Sequence, residues 1–165
     1  MGRQSEHSRR KTDGGQVGTL GRRSPSKGAI RLTGRYLLDT HVLVRWFADP
    51  KKLSREQLRV LRSAVRQCEQ LAVSAMTLLE LALLFGEEGS RLKLPAADLL
   101  GSIESDPIFC ILPIDVEVAA EVAAMGDSLR DPADRAIVAT ARVHGLRLVT
   151  SDQRIIESKL IPVVE

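Results

Sequence analysis

The chain has 165 residues, of which 44% are hydrophobic, 27% charged and 3% aromatic, a composition typical of one globular domain. No apolar run approaches the roughly 18 residues of a membrane helix, and charges stand where a signal peptide would be apolar, so we expect a cytoplasmic protein. The net charge of +3 is uneven: residues 1–34 hold eight Lys or Arg and two acids, which leaves −3 for residues 35–165. Cys68 and Cys110 have no partner at disulfide or zinc-site spacing, which predicts two buried free thiols.

Residues 1–34 carry only scattered apolar side chains among Gly, Ser, Arg and Gln, too few to offset the entropy lost on ordering. We therefore expect a basic disordered N-terminal extension, dispensable for folding, before a single domain over residues 35–165. A solvated tail, a nucleic-acid-binding arm and upstream sequence translated from an early start all fit this composition. A mitochondrial transit peptide fits it less well.

From Tyr36, the first half of the domain alternates short apolar runs with helical patterns. Strands are predicted over 36–38 and 71–73, and helices over 41–48 and from 76 to about 85. Ser54-Arg55-Glu56-Gln57 has the spacing of a capping box and opens a further helix. This order is typical of βα units.

The second half continues the alternation. Its predicted elements are a helix over 95–103, a strand over 108–114, helices over 116–125 and 133–144, and strands over 146–149 and 160–164. Asp115 and Asp131 stand at N-cap positions, and Gly145 stands at a helix end. Strands that are apolar on both faces and separated by helices predict an α/β fold, a three-layer sandwich with a central parallel sheet.

Two predicted strands lead into aspartate. Asp39 directly follows the first strand, and Asp152 comes three residues after the strand over 146–149. Ligands of open parallel sheets bind outside the carboxyl ends of the strands, so we expect both carboxylates at that edge. Alternatively, each is only the N-cap of the helix that follows.

Glu80 lies on the apolar stripe of the helix from 76 to about 85, with Leu83 and Leu84 as helical neighbours. A carboxylate there costs roughly several kcal/mol unless a cation or a hydrogen-bond donor meets it. Glu80 is therefore a candidate site residue, unless its side chain merely reaches solvent at the edge of the stripe.

Asp134 lies at the third position of the helix that Asp131 and Pro132 open. Stabilisation by the helix dipole is the ordinary explanation for an acid at this position. However, Asp134 also continues the buried face of its helix towards the strand ends. Asp131 is either an additional acid beside the site or simply the helix cap.

Four acids on four elements, Asp39, Glu80, Asp134 and Asp152, make an all-oxygen ligand set that suits Mg²⁺ or Mn²⁺. Without metal, their mutual repulsion would raise their pKa values. The chemistry that fits such a cluster is metal-assisted hydrolysis of a phosphodiester.

At these residues the chain resembles the PIN-domain ribonucleases, and among them the VapC-like toxins of bacterial toxin–antitoxin pairs. The matching segments are Tyr36-Leu37-Leu38-Asp39-Thr40-His41, Val73-Ser74-Ala75 with Glu80, Asp131-Pro132-Ala133-Asp134-Arg135 with Ile137 to Ala141, and Leu148-Val149-Thr150-Ser151-Asp152. Each motif alone is weak, whereas four in this order across residues 36–165 are specific.

The resemblance implies a PIN fold, Mg²⁺- or Mn²⁺-dependent endoribonuclease activity on RNA, a homodimer, and a small antitoxin whose C-terminal segment blocks the cleft. By position it assigns metal binding and catalysis to the four acids named above. It also gives Thr40, Ser74 or Thr150 a role in orienting water or phosphate.

The main alternative is a catalytically inactive PIN-like module that binds RNA or a protein partner. A haloacid-dehalogenase-type phosphatase is excluded, because it needs a second Asp where His41 stands, and no GxxxxGK phosphate loop occurs. His41 is expected to pack or cap rather than to act as a general base.

Overall fold

The computed structural model describes residues 33–86 and 96–165, and there it has the predicted α/β architecture. Five parallel strands form one sheet in the order β3-β2-β1-β4-β5. The strands are β1 (Tyr36–Leu38), β2 (Leu71–Ser74), β3 (Phe109–Leu112), β4 (Arg147–Val149) and β5 (Val163–Val164). The prediction of a central parallel sheet is confirmed.

Helices connect the strands and cover both faces of the sheet. They are α1 (Thr40–Ala48), α2 (Arg55–Gln67), α3 (Ala75–Gly86), α4 (Ala96–Ser105), α5 (Val116–Ala124), α6 (Pro132–Val143) and α7 (Gln153–Ser158), with a 3₁₀ turn at Pro50–Lys52. The sequence did not predict α7, because six residues are too few to show helical periodicity. In the described ranges, no helix is long and apolar enough to cross a membrane.

The strands bury side chains on both faces, which explains why they are apolar without alternation. On one face, Leu37 and Leu148 belong to a hydrophobic cluster with side chains from α5, α6 and α7. On the other face, Leu38 and Val149 belong to a second cluster with α1, α2 and α4. All four leucine and valine side chains are fully buried. The sheet is therefore a rigid central layer that fixes the positions of the strand ends.

Local signals placed several helix ends correctly. Ser54 Oγ accepts a hydrogen bond from the Gln57 backbone N–H at 3.0 Å, and Gln57 Oε1 accepts one from the Ser54 N–H at 3.1 Å. Asp115 caps α5 and Asp131 caps α6, each by accepting a backbone N–H of its helix. Gly145 follows α6 with a φ of 64°, a left-handed conformation that favours glycine.

Two predictions need correction. Cys110 is buried as expected, but Cys68 is exposed. The reason is that Cys68 is the left-handed C-cap of α2, with a φ of 53°, where the chain leaves the helix. Strand β3 ends at Leu112 rather than at residue 114, because Pro113 has no N–H to give to the sheet. The predicted extension lies almost entirely outside the described residues, as does Pro95.

Candidate functional site

The predicted acids lie at the carboxyl edge of the sheet, beside the point where the strand order reverses. β1 pairs with β2 on one side and with β4 on the other. In doubly wound sheets this arrangement leaves a crevice outside the strand ends. Asp39 directly follows β1, and the segment from Thr150 to Asp152 follows β4. The Asp39 N–H donates to the Val149 carbonyl at 3.0 Å, so the two segments are joined at this edge.

Asp39 stands at the N-cap position of α1, but its carboxylate is buried and does not cap the helix. Its side chain is 3% exposed and makes no capping hydrogen bond to α1. Instead, the Thr150 hydroxyl donates to Asp39 Oδ2 at 2.6 Å. Burial raises the pKa of Asp39, and the Thr150 hydrogen bond only partly opposes this rise. Helix capping alone therefore does not account for the Asp39 side chain.

Glu80 is half-buried and turns towards the junction of β1 and α1. The Thr40 hydroxyl donates to Glu80 Oε2 at 2.5 Å. Burial is the main reason that the pKa of Glu80 is raised, and the negative charges of Asp39 and Asp131 raise it further. Thr40 is the donor that a carboxylate at this position was expected to need. The predicted apolar stripe itself needs correction, because Leu83 and Leu84, the helical neighbours of Glu80, are exposed rather than buried.

Asp134 and Asp152 share one arginine. Arg154 Nη2 lies 3.2 Å from Asp134 Oδ2 and 2.7 Å from Asp152 Oδ2. The hydrogen bond from Arg154 holds the pKa of Asp152 below its usual range. The pKa of Asp134 is nevertheless raised to about 6, first by burial and then by the charge of Asp131. Asp152 also caps α7, since it accepts the Arg154 backbone N–H at 2.8 Å.

Asp131 is exposed, and its Oδ1 accepts the Ala133 backbone N–H at 2.8 Å. The interpretation of Asp131 as the cap of α6 is thus confirmed. Its charge also reaches the site, because it raises the pKa of both Glu80 and Asp134.

The four acids are within electrostatic reach of one another. The charge of Asp39 raises the pKa of Glu80 and of Asp134, and the charge of Asp152 raises the pKa of Asp39. Within residues 33–86 and 96–165, however, no three acidic, His or Cys side chains are close enough to hold a metal ion as they stand. The carboxylates are held instead by two threonine hydroxyls and by Arg154.

The structure differs from the expected roles of Ser74 and His41. Ser74 is fully buried, and its hydroxyl pairs with Thr140 and accepts the Met76 N–H. Ser74 therefore does not reach water or phosphate, contrary to one of the roles that the resemblance allowed. His41 is exposed rather than packed, and its charge lowers the pKa of Asp39 and Glu80.

Gln57 and Arg154 were missed as site residues. Gln57 is 1% exposed, and its Nε2 donates to the Thr150 carbonyl and to Ser151 Oγ, each at 3.0 Å. A signal existed for Gln57, because it lies on the same helical stripe as the buried Val60. No comparable sequence signal marked Arg154, because an exposed arginine in a short helix is ordinary.

The comparisons with known proteins agree with this geometry. Residues 36–159 match the family described as the PIN domain. The chain belongs to the PIN-domain family. Ribonuclease VapC22 from Mycobacterium tuberculosis is 38% identical over 120 residues, which cover 72% of this chain and 88% of that protein. The predicted resemblance to VapC-like PIN proteins is confirmed.

Solved structures share the PIN fold. FitAcB from Neisseria gonorrhoeae aligns with a TM-score of 0.60 and 26% identity over 79% of this chain and 96% of that chain. VapBC2 from Rickettsia felis, bound to a DNA fragment from its promoter, aligns with a TM-score of 0.60 over 78% of this chain and 96% of that chain. At 15% identity, VapBC2 supports the fold alone.

Proposed function

We propose that this chain is a metal-dependent endoribonuclease and the toxin of a toxin–antitoxin pair. The observation that carries the proposal is the group of four carboxylates at the crevice edge of the sheet, three of which have raised pKa values. Buried acids that oppose one another are typical of functional sites, since they cost stability. The PIN family and the similarity to Ribonuclease VapC22 support RNA as the substrate.

The donor set fits a hard divalent cation, for which we propose Mg²⁺ or Mn²⁺. The site is built from carboxylates, which these ions prefer over nitrogen and sulfur ligands. Burial and mutual repulsion raise the pKa values of Asp39, Glu80 and Asp134, so an added positive charge is favourable there. We therefore propose these three acids and Asp152 as the metal-binding residues.

A divalent cation held by these acids would lower the pKa of a water molecule and neutralise charge on the scissile phosphate. The side chains of this protein orient the ligands for that chemistry. The Thr150 hydroxyl donates to Asp39 and the Thr40 hydroxyl donates to Glu80, which fixes the positions of the two carboxylates. The two threonines are thus positioning residues, and their hydroxyls hold ligands rather than water or phosphate.

We further propose a protein antitoxin and a second copy of this chain as partners. Ribonuclease VapC22 supports a VapC-type toxin, and a toxin-antitoxin complex from Klebsiella pneumoniae shares the fold with a TM-score of 0.54. For the homodimer, α3 exposes Leu79, Leu83 and Leu84, and Val116 of α5 is also exposed. Several large apolar side chains exposed on one helix, as on α3, are typical of protein interfaces. We expect the protein to act in the cytoplasm, where it meets RNA.

Nuclease assays test the activity. The purified protein should cleave structured RNA with Mg²⁺ or Mn²⁺, and EDTA should stop cleavage. Asp39→Asn should lower the rate by orders of magnitude, whereas Asp127→Asn, which changes an exposed acid in the turn after α5, should not. Cleavage that persists in EDTA would refute the metal-dependent mechanism. RNA binding without cleavage at any metal concentration would favour the inactive binding module.

The toxin role has a separate test. Expression of the wild-type chain alone should arrest growth, and the Asp39→Asn variant should not. Co-expression of the small reading frame beside its gene should restore growth. Harmless expression of a protein that cleaves RNA in vitro would leave the nuclease proposal intact and refute the toxin.

A further inference from the structure

We propose that one exposed face of α2 binds the phosphate backbone of the RNA substrate, an inference that rests on the proposed ribonuclease function. Four arginines, Arg55, Arg59, Arg62 and Arg66, form this arginine face. Their spacing of four, three and four residues places them on one side of the helix. All four are exposed, and with Leu58 they line a shallow surface groove of about 330 Å³.

The arginine face opposes the stability of its own helix. Neighbouring arginines at i+3 and i+4 repel one another, and Arg55 stands in the first turn, at the positive end of the helix dipole. Of the four, the dipole favours only Arg66, which lies in the last turn. Among these four arginines, only Arg59 forms an ion pair with an acid in the described ranges, and its partner is Glu56. Packing does not require this arrangement, because the side chains are exposed. A feature that breaks local rules without a structural gain indicates a binding role.

The position of α2 connects this face to the acids. Gln57, in the first turn of α2, contacts the Thr150 carbonyl at the carboxyl edge of the sheet. The helix then runs towards the opposite edge, where β2 begins at Leu71. With a rise of about 1.5 Å per residue, Arg66 lies roughly 16 Å along the helix from Arg55. RNA that enters the site therefore continues along several turns of α2.

Electrostatics favours a nucleic acid as the occupant. Residues 35–165 carry a net charge of −3, and the proposed site itself is acidic, so RNA needs a separate cationic surface to be held. Single-stranded RNA offers closely spaced phosphates that exposed guanidinium groups contact without reading the sequence. The arginine face thus supplies affinity, while the acids supply the chemistry.

The test compares the variant Arg62→Gln/Arg66→Gln with a control of equal charge, Arg142→Gln/Lys159→Gln. The two control residues are also exposed but lie on α6 and at the end of α7. These helices pack on the face of the sheet opposite to the one that α2 covers. Binding of a fluorescent single-stranded RNA is measured in EDTA over a range of salt concentrations. For the α2 variant, the slope of log Kd against log salt should fall by about 1.4, or roughly 0.7 for each lost phosphate contact. The control variant should keep the wild-type slope.

Further arms separate the possible failures. The variant Arg62→Lys/Arg66→Lys keeps both positive charges and should retain the wild-type salt slope. If the double Gln variant unfolds, the single variants Arg62→Gln and Arg66→Gln replace it, and each should lower the salt slope by about 0.7. In cleavage assays with metal, the Gln variants should have a higher KM for RNA and an unchanged kcat. A wild-type salt slope in the Gln variants would overturn the proposal, and so would a selective loss of antitoxin binding with RNA binding intact. Because binding is measured in EDTA, a protein that binds RNA but never cleaves it would contradict the nuclease function and leave the arginine face supported.

Discussion

Replacing Asp134 with Asn should make the metal-free protein more stable at neutral pH, although it removes a proposed ligand. The Asp134 side chain is 15% exposed, and its pKa is raised from 3.8 to about 6 by burial, then by the charge of Asp131, with Arg154 opposing the rise. Between about pH 3.8 and pH 6, Asp134 is therefore protonated to a greater extent in the folded protein than in the unfolded chain. The stability that this proton contributes is therefore complete below about pH 3.8 and lost as the pH rises through about 6.

The magnitude follows from the pKa change. A rise from 3.8 to about 6 corresponds to about 3 kcal/mol at neutral pH if it is fully expressed. Because part of the side chain reaches solvent, we expect about 1 to 2 kcal/mol to be realised. Asn is nearly isosteric and carries no charge to desolvate. The gain in the free energy of unfolding for Asp134→Asn should be about 1 to 2 kcal/mol near pH 7.5 and should shrink as the pH falls towards about 4.

Urea denaturation in EDTA between about pH 4.5 and pH 7.5 measures this difference. Asp127→Asn is the matched control, because it neutralises an exposed acid, and it should leave the difference from wild type independent of pH. Saturating Mn²⁺ should reverse the order of stability, since the wild type alone keeps all four proposed ligands. The reasoning is refuted if Asp134→Asn is less stable than wild type near pH 7.5, or if its effect is the same at both ends of the pH range.

Two further predictions concern Arg154 and the N-terminal extension. Arg154→Gln should destabilise the metal-free protein at neutral pH, because Asp134 and Asp152 lose their shared cation, and should raise the Mn²⁺ affinity severalfold, because the guanidinium no longer competes. Calorimetric titration with Mn²⁺ checks this, and an unchanged or weaker affinity would contradict it. A chain that starts at Arg35 should melt within about 2 °C of the full chain, since residues 1–34 lack apolar periodicity, and should keep its turnover at saturating RNA. Unfolding of that shorter chain would show that the domain begins earlier.

The sequence predicted the features of the site that depend only on residues close together in the chain. An apolar run followed by Asp39 predicts a carboxylate at a strand end, because a buried strand and its continuation are adjacent in the chain. The strand order is not local information. That β4 lies beside β1 follows only from the folded sheet, so the hydrogen bond from Thr150 to Asp39, across 111 residues, could not be predicted from spacing.

The direction of side chains was the second feature that the sequence did not predict. Gln57 was correctly predicted as part of a capping box, yet its amide nitrogen faces the segment after β4. The capping signal explains only the backbone N–H and the Oε1 atom of this residue, which left the donor unassigned. Arg154 was missed for a related reason: Asp152 is its local partner at the start of α7, but its other partner, Asp134, lies on α6 and comes close only in the folded protein.

The donors that hold the acids divide the proposed site into two kinds of ligand. Hydroxyl donors orient Asp39 and Glu80 but leave their negative charge in place, which is why the pKa values of both remain raised. Arg154 brings a full positive charge, and it lowers the pKa of Asp152, which it contacts most closely. Its more distant contact with Asp134 does not offset the burial of that side chain. Asp39, Glu80 and Asp134 are therefore the acids whose negative charge is least compensated. A bound cation would be stabilised most by these three residues.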